Sequence, residues 1–178
     1  GEMGAGKTTA IVTLSEIEVV HTEALNTERE VVDKDTTTVA LDYGEIGLDS
    51  TSKLRLYGVP GQRRFDFMWS ILKRRAVGLL LLVKNDSSDP TGRMIEFLDE
   101  FGEIYGRGGV VVGVTHMDVA PSPSIADHQR AVRERFPELA APVFTVDPRN
   151  RPQLVTALSV LAASVETRQR LISDGRDA

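Results

Sequence analysis

The chain has 178 residues, with 21 Lys and Arg against 26 Asp and Glu, a net charge of −5 and no cysteine. That length suits one domain with a sizeable core; the acidic balance argues against a nucleic-acid partner, and the lack of cysteine excludes disulfides and thiolate metal sites. The longest apolar run, AVGLLLLV, is far too short to span a membrane. With no signal peptide or prenylation signal legible, the expectation is a cytoplasmic protein with no membrane anchor of its own.

In chain order, the first element is a loop. GEMGAGKT, residues 1–8, fits G-x-x-x-x-G-K-[ST] at every position. Gly1, Gly4 and Gly6 permit a tight turn and close approach to a ligand. The backbone N–H groups through Ala5 to Thr9 can curl around an anion at a helix N-terminus. Lys7 would reach the β- and γ-phosphates, and the Thr8 hydroxyl would ligate Mg²⁺. Such a loop ordinarily leaves a buried strand, so a first strand is expected upstream of residue 1 of this single domain, residues 1–178.

The spacing then predicts a helix from Lys7 to about Val20 and a long polar loop, HTEALNTEREVVDKDTTT. Two strands, TVALDYGEIGL and KLRLYGV, follow with a turn at Asp49–Ser52; Val39, Leu41 and Tyr43 alternate in the first, Leu54 and Leu56 in the second. PGQRRFDFMWSILKRR opens as a turn and becomes a helix. AVGLLLLVKN and GVVVGVTHMD read as parallel strands covered on both faces. Between them PTGRMIEFLDEFGEIY reads as one helix with Met94, Phe97, Leu98 and Phe101 on a single face. SIADHQRAVRERF, the short strand APVFTV and the helix RPQLVTALSVLAASVETRQRL complete the chain. The class is α/β: a doubly wound, mostly parallel sheet with one antiparallel edge, carrying its ligand at the carboxyl ends of the strands.

These motifs resemble those of small Ras-like GTPases, closest to the bacterial MglA-like and related groups, over nearly the whole chain. The resemblance implies a GTP/GDP and Mg²⁺ site. Thr38, or next Thr37, would complete the Mg²⁺ shell from the first switch, DKDTTTVALDYG. In the second switch, LYGVPGQRRF, Gly61 would meet the γ-phosphate and Gln62 would orient the attacking water; Gly58 stands where the family has Asp. In GVTHMD, Asp118 would accept guanine N–H groups, with Thr115 and His116 in place of Asn and Lys, and Asp147 would offer its backbone N–H to the base. Arg29, Arg63 and Arg64 are candidate charge-neutralising arginines. Trp69, Phe65 and Phe67 are either core or a docking patch. The implied function is a slow GTP-hydrolysing switch with roadblock/longin-type protein regulators. A pseudo-GTPase acting as a nucleotide-binding module, a P-loop ATPase and a small kinase are the alternatives, because the phosphate loop establishes phosphate binding and not the base.

Overall fold

The computed structural model describes residues 1–24, 39–48, 52–61 and 66–173. In chain order the elements are α1 (Lys7–Leu14), β1 (Val20–Ala24), β2 (Val39–Gly47), β3 (Lys53–Gly58), α2 (Asp66–Arg75) and β4 (Gly78–Lys84). They continue as α3 (Pro90–Glu100), α4 (Gly102–Arg107), β5 (Gly109–Thr115), α5 (Ile125–Arg135), β6 (Val143–Thr145) and α6 (Arg151–Ser173).

The α/β class is as expected, but the sheet is not mostly parallel. The described strands form two three-stranded blocks, antiparallel β1-β2-β3 and parallel β4-β5-β6. In the parallel block every residue of β5 is buried, which is why its sequence is a run of Val and Gly rather than an alternation. Leu81, Val83, Val110, Val112 and Val114 pack with Met94 and Leu98 of α3 and with Val132 and Phe136 around α5. Leu82 faces the other way, toward Ala10 and Leu14 of α1 and Leu154 of α6. Helices therefore cover both faces of this block. Each such buried side chain contributes about 1.5–3 kcal/mol relative to exposure.

The second core also binds the blocks together. It contains Ile46 of β2, with Leu54 and Leu56 of β3 packed against it. Helix α1 lies over β2 and β3, and its C-terminal carbonyls are capped from α6: Arg151 Nη1 donates to Thr13 O at 3.0 Å and to Leu14 O at 2.7 Å.

Four expectations are corrected. The helix after the phosphate loop stops at Leu14 rather than near Val20, because the following backbone turns to β2: Glu16 N–H donates to Glu45 O at 2.7 Å. Gly44 makes this contact possible, since a Cβ there would lie 2.9 Å from Ser15 Cβ. The start of the polar loop is instead strand β1, Val20 pairing with Tyr43 through Ala24 with Val39. Among the described strands it is an outer one, and its own residues, VHTEA, carry no sustained apolar alternation to signal a strand. The helix expected over residues 90–105 is two, broken at Phe101, whose ring is buried against Trp69 and lies under Lys73. Finally, the inside face of β2 holds Asp42, Gly44 and Ile46, not the alternating Leu41 and Tyr43. Tyr43 stacks instead on Tyr57, with ring centroids 5.2 Å apart.

A buried polar network sets the loop after β5. Asn85 Nδ2 donates to the carbonyls of Ala120 (2.6 Å) and Pro123 (3.0 Å), which leaves its Oδ1 to accept from His128 Nε2 at 2.8 Å. His128 Nδ1, 3.1 Å from Thr91 Oγ1, is then the acceptor of the threonine hydroxyl. Ser124 and Asp127 form a capping box that starts α5.

Candidate functional site

The loop at residues 1–8 has the backbone its sequence requires. Gly4 and Gly6 adopt φ of 80° and 88°, the left-handed region that glycine enters without a Cβ penalty. Gly6 is also tightly enclosed, since a Cβ would lie 2.4 Å from the Pro148 ring. The β6–α6 loop therefore closes directly on the phosphate loop. Ala5 is buried, whereas Thr8 and Thr9, in the first turn of α1, are exposed.

Lys7 folds back over the loop, its Nζ donating to the Glu2 carbonyl at 2.6 Å. Burial pushes its ammonium below the usual lysine range, while the charges of Asp42 and Glu2 oppose the shift. An anion in the loop would offer Lys7 a charge-assisted bond in place of a neutral carbonyl. On the other side of α1, Thr8 Oγ1 donates to Asp42 Oδ2 at 2.5 Å. The second oxygen of Asp42 lies 2.7 Å from His21 Nδ1. Asp42 is only 8% exposed.

Gly61 is brought to the same place. A Cβ on it would lie 2.2 Å from Gly1 O and 2.7 Å from Glu2 Cα, so the chain leaving β3 runs against the phosphate loop. Trp69 holds this segment, donating from Nε1 to Pro60 O at 3.0 Å. Trp69 is 4% exposed and packs on Phe97 and Phe101, so it is core. A cavity of about 330 Å³ lies beside Gly61, lined also by Glu2, Trp69, Arg93 and Phe97. Thr37, Thr38, Gln62, Arg29, Arg63, Arg64 and Phe65 lie outside the described residues, as does the side chain of Phe67.

The loops after β5 and β6 meet at the far end of the phosphate loop. Thr115 is fully buried, its hydroxyl donating to Val83 O at 3.2 Å, so it serves the core. His116 has φ of 61°, uncommon for a non-glycine residue. Its carbonyl accepts from Val119 and Ala120, and its Nδ1 lies 2.9 Å from Thr115 Oγ1. Asp118 is exposed. The backbone N–H of Asp147 donates to Gln153 Oε1 at 2.8 Å, and its carboxylate holds Arg149 through Nε and Nη2, both at 2.9 Å. That bond to Arg149 holds the Asp147 carboxyl below the usual carboxylate range. Asp118 is close enough to Arg149 to favour its charge.

Sequence reasoning missed Asp42, Arg149 and Lys84, whose Cδ and Cε lie 3.7 Å from where a Gly4 Cβ would be. Asp42 did leave a signal: an acid at the position where the inside face of β2 should be apolar. Arg149 and Lys84 left none beyond their places just after or at the end of a strand. Among the described residues no group of three or more His, Cys, Asp or Glu side chains converges as a metal site, and no helix is long and apolar enough to cross a membrane.

Residues 17–143 match the model of a family described as conserved hypothetical ATP binding protein. The match covers well over half of the chain, which belongs to that family. No curated protein matches the chain. The finding corrects the resemblance to Ras-like GTPases of the MglA-like group; it supports a nucleotide partner and does not show the roadblock/longin-type regulators that the resemblance implied. The physical reason is that GEMGAGKT serves any nucleotide triphosphate site. Gly58, Thr115 and His116 depart from the GTPase pattern where it is more specific.

Proposed function

We propose that this member of the ATP-binding family binds a nucleoside triphosphate on the Gly1–Thr8 loop and hydrolyses it, with ATP as the substrate. The observation that carries the proposal is the loop itself, with two left-handed glycines, a retracted lysine and an exposed threonine at a helix start. The family match begins at residue 17, so loop and family support nucleotide binding from different residues.

In this reading the loop N–H groups and the α1 N-terminus hold the phosphates, and Lys7 leaves the Glu2 carbonyl for the β- and γ-phosphate oxygens. Thr8 supplies a hard oxygen toward Mg²⁺, which prefers few protein ligands with phosphates and water completing its shell. When bound, the ion neutralises charge developing on the transferred phosphoryl group. In the same reading Gly61, which lies against Gly1 and Glu2, would donate its N–H to the γ-phosphate. Water attacks phosphorus, the bond to the bridging oxygen breaks, and ADP and phosphate leave.

The second reading is GTP. It is favoured by one observation: an exposed carboxylate, Asp118, on the loop beside the β6–α6 turn that packs on Gly6. Such a carboxylate accepts two N–H bonds that guanine has and adenine lacks. A competition titration of a fluorescent nucleotide with ADP, ATP, GDP and GTP separates the two. Adenine preference is expected. Guanine preference that Asp118→Asn removes would replace ATP by GTP, and no displacement by any nucleotide would overturn both. Lys7→Ala is expected to abolish binding in the same titration; retained tight binding would remove the loop from the site.

A further inference from the structure

We infer that Asp42, delivered by β2, is the carboxylate that holds the divalent cation of the nucleotide site. The inference rests on the phosphate-loop reading above and deepens it.

Three observations converge on Asp42. First, its Oδ2 lies 2.5 Å from the Thr8 hydroxyl, so two hard oxygens stand side by side next to the phosphate loop. Asp42 is buried and Thr8 exposed. Mg²⁺ is bound by this kind of set, one or two carboxylate or hydroxyl oxygens with phosphates and water supplying the rest. Second, the other carboxylate oxygen is held by His21 Nδ1 at 2.7 Å. A ligating carboxylate is commonly oriented in this way through the oxygen that does not face the metal. Third, Asp42 is directly paired across the antiparallel ladder with Gly58. A Cβ at Gly58 would lie 2.7 Å from Ile11 Cδ1 and 3.0 Å from Asp42 Cβ. A side chain at Gly58 would force Ile11 and Asp42 to shift. Gly58 thus leaves room for the Asp42 side chain opposite it, and Asp42 is the acid that this pair of positions sets beside Thr8.

Burial makes this placement costly without a function. A carboxylate only 8% exposed loses hydration that two hydrogen bonds only partly replace. A divalent ion beside it would repay that cost.

The test compares affinities for ADP and ATP by calorimetry, with Mg²⁺ and with chelator, in the wild type and in Asp42→Asn. It adds the binding of Mn²⁺ to the ADP complex, followed by electron paramagnetic resonance. The ratio of affinities with and without cation should fall at least about tenfold in Asp42→Asn, with matching loss of bound Mn²⁺. The exchange Asp42→Gly with Gly58→Asp should recover part of that ratio. In the wild type alone, Mn²⁺ bound with ADP should broaden the ring resonances of His21, a readout that needs no variant. An unchanged ratio in Asp42→Asn, or His21 resonances untouched by Mn²⁺, would overturn the inference. A wild type that binds nucleotide equally well with and without cation would overturn it while leaving the phosphate loop standing. A wild type that binds none would overturn both.

Discussion

Every residue of β5 is buried, and apart from Thr115 they are all valine or glycine, whereas the inside face of β2 carries Asp42, Gly44 and Ile46. The parallel block is closed on both sides by helices and devotes its inside positions to packing. The antiparallel block has a single core-facing side, and part of that side is given to a charge and to a glycine against which α1 rests. Packing and polar contacts are thus divided between the two sheets, and α1 belongs to both: its apolar residues join the shared core while Lys7 bonds Glu2 and Thr8 bonds Asp42.

The widest separation between the blocks should appear in core truncation. Leu81→Ala, at 1% exposure, should lower unfolding free energy by about 2–5 kcal/mol in denaturant titration. Tyr57→Ala, on the outer face of β3 at 48% exposure, should cost less than about 1 kcal/mol. Equal losses would break the division. A smaller effect is expected at the seam. Gly44→Ala inserts a Cβ 2.9 Å from Ser15 Cβ and 3.0 Å from Ile11 Cγ2. It should cost about 1–3 kcal/mol and, by lifting α1 from β2, also weaken nucleotide binding. Loss of stability with no change in affinity would mean that α1 does not transmit strain to the loop.

The smallest effect concerns the polar group inside the parallel block. Burial pushes His128 below the usual histidine range, and Asp127 only partly opposes it. The unfolded chain takes up a proton near the ordinary histidine value and the folded chain does not, so acidification favours unfolding. Stability should therefore fall as pH drops through about 6.5 and below. Unfolding titrations across that range should show this slope reduced in His128→Gln. An equal slope in both proteins would mean that His128 is not its source.

By itself the sequence determined the α/β class, the phosphate loop and the two apolar strands. These rest on local rules: glycines where φ must be positive, and unbroken valine and leucine runs where both faces are covered. Its resemblance to Ras-like GTPases did not survive, because the motif that carried it is shared by nucleotide sites in general. Only the tertiary structure decided where α1 ends, that Val20–Ala24 is a strand, and that Asp42 rather than a residue of β3 stands beside Thr8. An edge strand is defined by its partner and not by its own pattern. The role of Asp42 depends on Gly58, sixteen positions away in sequence and directly opposite in the ladder. No periodicity within either strand encodes that pairing; it exists only once the register has formed.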